Sequence, residues 1–185
     1  MDLKVFKIRL AKLKEKLRDN NIETAIITDE DNVYYLCGYY DYLHMDFGRP
    51  TLLIISVDQE ILLITPAIDL NTAQENACVD RISAWNDGMG EEWREELPQI
   101  LQKSGRIAIE PDQMPAIVKR YIDQEVASNQ VANVTPILST MRMVKSDEEL
   151  KIARDAGKVA NAMMLAGREA IGDGVAEYEV AIATS

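Results

Sequence analysis

The chain has 185 residues, 47% of them hydrophobic and 28% charged, which is room for one full domain and a remnant in a globular rather than a disordered chain. A formal net charge of −11 and a pI near 4.6 repel a phosphate backbone, so nucleic acid is not an expected partner. No apolar run approaches the roughly 20 residues of a membrane span, so no membrane partner is expected. The single histidine excludes HExxH and Cys/His zinc sites and any histidine triad not built on His44.

Phe6, Leu10, Leu13 and Leu17 fall at helical spacing between lysines, which predicts a docked amphipathic helix rather than a cleavable targeting peptide. Asn20-Asn21 stops it, and the β-branched run Thr24–Thr28 predicts a buried first strand. A turn at Asp29–Asp31 leads to a short helix, capped at Asn32 and ended by Gly38, because asparagine caps helix starts and glycine accepts the left-handed backbone after the last turn. Residues Tyr39 to Pro50 are expected as loop. Thr51–Val57 and Glu60–Thr65, separated by Asp58-Gln59, predict an antiparallel hairpin.

Helical spacing returns over Ile68–Asn76, and a strand is expected at Arg81–Trp85. After the turn-like residues 86–90, Glu91 opens a helix with Trp93, Leu97, Ile100 and Leu101 on one face. Arg106–Glu110 alternates as a strand, and Pro111 or Pro115 begins a helix carrying Ile117, Val118, Tyr121 and Ile122. Asn133–Pro136 is read as a last short strand. The expected fold class is α/β, a mixed β-sheet with helices on both faces. No GxGxxG or GxxxxGK pattern supports dinucleotide or phosphate-loop binding.

Cys37 and Cys78 stand apart without CxxC spacing, which reads as reduced thiols, Cys37 buried, and a cytoplasmic location. The paired carboxylates Glu91-Glu92, Glu95-Glu96 and Asp147-Glu148-Glu149 read as helix-dipole and solubility features, not as an acid/base pair.

Residues 31–50 concentrate aromatic side chains: Tyr34, Tyr35, Tyr39, Tyr40, Tyr42 and Phe47, together with His44 and Arg49. Tyr34, Tyr35, Tyr39 and Tyr40 read as core and rim packing, since tyrosine suits a place with one apolar and one wet end. At Ser146 and Glu149 a capping box heads the longest helix. Leu150, Ala153, Ala156, Gly157, Ala160, Met163 and Met164 form its stripe, which needs a covering surface. That helix is expected to stop at Gly172-Asp173-Gly174, and the amphipathic segment from Val175 meets Ser185 without a stop signal, which reads as a cut chain. The expected domains are 1–140 and 141–185.

The run from Met141 to Ala181, with Arg142, Val144, Lys145, Ser146 and Glu149, resembles the junction between the amino-terminal and catalytic domains of the creatinase, prolidase and aminopeptidase P family. The likeness continues backwards through Arg9 to Tyr39, including the Asn-x-Tyr-Tyr-Leu-x-Gly-Tyr turn, and so covers nearly the whole chain. It implies a creatinase-like, ribonuclease H-like amino-terminal domain followed by the first helices of a "pita-bread" domain. In the family that second domain holds two divalent ions (manganese, cobalt or zinc) on two aspartates, a histidine and two glutamates placed further along, although a creatinase-type parent uses none. The fragment alone is therefore expected to be inactive. Asp46-Phe47-Gly48-Arg49 looks closest to creatinase, which implies that Phe47 and Arg49 bind substrate in a neighbouring subunit's site. Arginine can grip a carboxylate bidentately, and phenylalanine offers a face to an alkyl or cationic group. Ala176 departs from the threonine that the family commonly places before the glutamate matched by Glu177.

The expected partners are the chain's own catalytic domain, a second copy in a homodimer, and a small peptide or creatine-like substrate. A non-catalytic peptide- or protein-binding module of the same fold is the alternative.

Overall fold

The computed structural model describes residues 3–40, 50–86 and 92–185. The chain divides into two compact units, Met1–Thr140 and Met141–Ser185.

The first unit starts with α1 (Leu3–Asp19), whose Phe6, Leu10, Leu13 and Leu17 are buried as the spacing predicts. Asn21, at φ 54°, takes the left-handed conformation and lets Ile22 N–H reach back to the Leu17 carbonyl at 2.9 Å, which ends the helix. β1 (Thr24–Ile27) follows and is fully buried. α2 (Glu30–Cys37) begins three residues earlier than expected. Its cap is Asp29, whose carboxylate accepts from Asn32 N–H at 2.9 Å, while Asn32 sits inside the first turn. Both types cap well, and Asp29 comes first in the turn. Gly38 ends α2 at φ 81°, as the sequence indicates.

β2 (Leu52–Ser56) and β3 (Ile61–Pro66) form the predicted hairpin, with Leu53 opposite Leu63. A short 3₁₀ turn, Ala67–Asp69, leads into α3 (Leu70–Asn76) and then β4 (Arg81–Trp85). α4 (Glu92–Lys103) buries Trp93, Leu97 and Leu101 and carries Pro98 within it. β5 (Ile107–Ile109), α5 (Ala116–Glu125), β6 (Val131–Asn133) and α6 (Thr135–Met143) follow, the last residues of α6 lying past the Thr140 boundary.

The last of these corrects the expected strand at Asn133–Pro136. β6 ends at Asn133, whose side-chain oxygen accepts from Thr135 N–H at 2.8 Å and turns the chain. Pro136 then sits in the first turn of a helix, where its missing N–H has no partner to lose. Leu138 and Met141 are buried from that helix.

Among the described residues six strands lie in the order β4-β3-β2-β1-β5-β6. β2 alone is antiparallel to its neighbours, and the other five run together. Alternation splits the apolar strand residues between two faces. Ile26, Ile54, Leu62, Ile64, Ile107 and Ile109 pack with Trp93 and Leu97 of α4 and Val118 and Ile122 of α5. Ala25, Ile27, Leu53, Ile55, Leu63 and Ala108, equally buried, face the other way and leave that side to α1 and α2, which pack on each other. This is the mixed sheet with helices on both faces.

The second unit holds α7 (Asp147–Ala170) and α8 (Glu177–Ala183). The capping box at its head is formed: Glu149 N–H donates to Ser146 Oγ at 3.2 Å, and Ser146 N–H to the Glu149 carboxylate at 2.8 Å. Gly167, the one buried residue of α7, lies against Thr184, where an added Cβ would sit 2.7 Å from the threonine methyl. Among the described residues no helix is long and apolar enough to cross a membrane.

Candidate functional site

Because five strands run together, their carboxyl ends gather along one edge of the sheet. These are Thr28 after β1, Pro66 closing β3, Trp85 closing β4, Glu110 after β5 and Asn133 closing β6. Open α/β sheets take ligands along this edge, where the connecting loops are free to vary. β2, running the other way, starts here, so Pro50 and Thr51 join the same edge.

Phe47 and Arg49, the two residues expected to bind substrate, lie outside the described residues, as does His44. The residues on either side of 41–49 are held firmly. Tyr39 is fully buried, and its hydroxyl pairs with Thr65 Oγ1 at 2.8 Å near the end of β3. On the return, the Pro50 carbonyl accepts from the Trp85 indole N–H at 3.0 Å. Two buried aromatic residues thus bind the flanks of this segment to the carboxyl ends of β3 and β4. Tyr34 and Tyr40, both exposed, meet edge to face at 6.3 Å between centroids. Tyr35 carries the guanidinium of the buried Arg9 4.0 Å above its ring and accepts from Arg9 Nη1 at its carbonyl, at 2.8 Å. Tyr34, Tyr35, Tyr39 and Tyr40 therefore divide between core and rim.

A buried carboxylate that sequence reasoning did not single out lies on the same edge. Glu110, 1% exposed, accepts from Thr28 N–H at 2.7 Å, Asp29 N–H at 2.9 Å and Asn32 Nδ2 at 2.5 Å. Burial pushes its carboxyl up from the ordinary value, with the nearby Asp29 charge adding to the rise and the three donors opposing it. A carboxylate spent on three donors and closed to solvent does not work as an acid or base on a substrate. It ties the end of β5 to the turn that starts α2. The only sequence signal was a charged residue closing an apolar strand.

Glu96 also departs from its sequence reading as a solubility feature. It receives Arg81 Nη1 and Nη2 at 2.6 and 2.9 Å, while Arg81 Nε reaches Glu60 at 2.7 Å. The arginine holds the Glu96 carboxyl below its ordinary value, and the group pins α4 to β4 at the sheet's edge. A cleft of about 450 Å³ lies at the other end of the strands, lined by Leu3, Lys7, Leu10 and Lys14 of α1, Ile61 and Cys78 among others. It is remote from the carboxyl edge, since Ile61 opens β3. Among the described residues no three His, Cys, Asp or Glu side chains come together to hold a metal ion.

Three comparisons bear on this architecture. A solved prolidase from Thermococcus sibiricus superposes with a TM-score of 0.79 at 22% identity, over all of this chain and 48% of that one. The Creatinase/Prolidase N-terminal domain of an X-Pro dipeptidase from Streptococcus pyogenes superposes with a TM-score of 0.61 at 21% identity, over 72% of this chain and 98% of that one. In sequence the chain is 26% identical to creatinase from Bacillus sp. (strain B-0618) over 178 residues, which is 94% of this chain and 42% of creatinase. The chain thus spans less than half the length of that relative. The family described as Creatinase/Prolidase N-terminal domain matches residues 9–144, well over half of the chain, and the protein belongs to that family.

Proposed function

We propose that these 185 residues form the amino-terminal domain and first catalytic-domain helices of a hydrolase acting on Xaa-Pro peptides or on a creatine-like amidino or amide compound. The domain bounds the substrate site and contributes to the oligomer interface. The observation that carries this reading is the family match over residues 9–144, extended by the likeness to creatinase over 94% of the chain. Phe47 and Arg49 are the proposed substrate contacts, and what supports placing them at this edge is the anchoring of the flanking Tyr39 and Pro50 to β3 and β4. The hydrolytic metal pair implied by the family resemblance finds no donor set among the described residues, so no step is assigned to these side chains. A cytoplasmic location belongs to the same proposal.

Two measurements test it. The 185-residue chain, supplied with manganese, cobalt or zinc, is assayed with Xaa-Pro dipeptides and with creatine, and no turnover is expected. Robust turnover would place the machinery inside these residues and overturn the reading, whereas tight peptide binding without turnover would favour a binding module. In a longer protein carrying this domain and an active metal site, Arg49→Lys keeps the charge but removes the bidentate fork. It should lower kcat/KM by about tenfold or more, with the fold stability unchanged. Wild-type kcat/KM in that variant would reduce residues 41–49 to scaffold.

A further inference from the structure

Cys37 and Cys78, which look isolated in the sequence, are brought together by the fold. Cys78 N–H donates to the Cys37 carbonyl at 2.7 Å. Residues joined by such a bond across two segments have Cα atoms about 5–6 Å apart, inside the roughly 4.4–6.8 Å that a disulfide spans. A second contact fixes the same neighbourhood: a Cβ on Gly38 would sit 3.2 Å from the Asn76 carbonyl. Both cysteines are free thiols, and their exposure differs. Cys37 is fully buried at the end of α2, while Cys78 is part-buried and lines the 450 Å³ cleft beside α1.

We propose that Cys37 and Cys78 are an oxidisable pair, Cys78 reacting with a hydroperoxide through the cleft and Cys37 then closing a disulfide that ties the end of α2 to the connection between α3 and β4. The electrons balance in two steps. The Cys78 sulfur attacks one peroxide oxygen, the O–O bond breaks, the other oxygen leaves as water or an alcohol carrying the thiol proton, and a sulfenic acid remains. The Cys37 sulfur then displaces the sulfenic oxygen, which leaves as water with the Cys37 proton, and the S–S bond forms. Two thiols are oxidised and one hydroperoxide is reduced.

The roles follow from the surroundings. Burial pushes the Cys37 thiol up to about 12, so it does not compete with Cys78 for the oxidant, and its part in the second step rests on being held beside Cys78. Cys37 lies three residues before Tyr40, where the chain passes into residues 41–49, so the cross-link restrains the approach to the segment carrying Phe47 and Arg49. Transient, sensing disulfides of this kind are compatible with a reducing compartment.

The test uses the full chain, treated with hydrogen peroxide, unfolded, alkylated with N-ethylmaleimide and cleaved after glutamate, which separates the two cysteines at Glu60 and Glu75. Both alkylatable thiols should be lost, and a linked peptide pair lighter by two hydrogens should appear and vanish on reduction with dithiothreitol. Cys37→Ala should leave Cys78 as a sulfenic acid trapped by dimedone. Cys78→Ala should leave Cys37 unoxidised at the same peroxide dose. Two thiols still alkylatable after treatment would overturn the proposal. So would a Cys78-to-Cys78 link between chains, or sulfinic acid at Cys78 with Cys37 free. Mapping of the wild-type chain decides the matter even where a variant fails to fold.

Discussion

Glu110 shows how a single side chain can organise an edge of the sheet. Its carboxylate takes two main-chain N–H groups and one amide from the β1–α2 turn, so Glu110→Ala would remove the acceptor that these three donors share. Losing a buried hydrogen-bond partner costs about 1–3 kcal/mol, and a loss of at least that size is expected in urea unfolding. Glu110→Gln keeps the shape and removes the titration. Because burial raises the folded-state pKa above the ordinary 4.5, the folded state holds the proton more tightly. The stability linked to that proton is fully present below the unfolded value and is lost as pH rises through the folded one. Wild type should therefore lose stability relative to Glu110→Gln as pH climbs upward from about 4.5; a pH-independent difference would show that the carboxylate is ionised equally in both states. Strand alternation made Ile107 and Ile109 legible as core, but it placed Glu110 only on a strand end, where glutamate ordinarily meets water. Its burial depends on a turn remote in sequence, and no local pattern carries that.

Gly38 belongs to the same scale. Its φ of 81° already favours glycine, and an added Cβ would lie 2.7 Å from the Phe6 ring of α1. Gly38→Ala should cost about 2–5 kcal/mol, combining left-handed strain of roughly 1–2 with overpacking of about 1–3. A variant that melts with wild-type stability would show that α1 can shift without loss. The left-handed turn was legible from Gly38 after a tyrosine-rich helix, whereas the pressure from Phe6 was not, because α1 is docked there by tertiary contacts.

At the scale of elements, the hairpin β2–β3 and strands β1 and β4 were readable because each is short, β-branched and bounded by turn residues. α6 was not readable. Val134-Thr135-Pro136 looks extended before a proline, and the helix was settled instead by the Asn133 side chain turning the chain and by burial of Leu138 and Met141. α8 illustrates the opposite case, in which a weak element can be strengthened. Ala176 caps it without a side-chain acceptor, and only half of the box is present, Ala176 N–H donating to the Glu179 carboxylate at 2.8 Å. Ala176→Thr supplies the missing oxygen at a backbone already extended (φ −76°, ψ 150°). It should raise the local stability of α8 by about 1 kcal/mol, read as slower amide exchange at Tyr178 and Glu179, the positions a cap protects. Unchanged exchange there would mean that the cap adds nothing to this helix.

At the scale of the molecule, the direction of the strands decides more than any motif. A hairpin followed by strand–helix alternation was enough to expect a mixed sheet, but the order β4-β3-β2-β1-β5-β6 is what brings Pro50 beside Trp85 and Glu110 beside Thr28. Proximities of that kind, like that of Cys37 to Cys78, are products of topology and leave no trace in spacing.

The second unit raises the remaining question of association. Leu150, Ala153, Gly157, Ala160 and Met164 fall along one side of α7, and all are exposed, Met164 by 74%. Ile152 and Val159 add further exposed apolar surface at 49% and 60%. An amphipathic helix of 24 residues draws most of its stability from the face it buries, and small residues such as Ala153 and Gly157 allow another helix to approach closely. In the proposed parent the catalytic domain shares this surface; in the 185-residue chain a second copy is the partner we propose, with α7 pairing on α7 about a two-fold axis. The net charge of −11 opposes association most strongly at low ionic strength, so the dimer should strengthen as salt is added. Light scattering on the full chain should give twice the monomer mass at micromolar concentration, and Met164→Lys with Leu150→Lys should return it to monomer with the circular dichroism of the first unit's sheet intact. A wild-type chain that stays monomeric at high salt would show that α7 is stable without a second copy and that the homodimer reading is wrong.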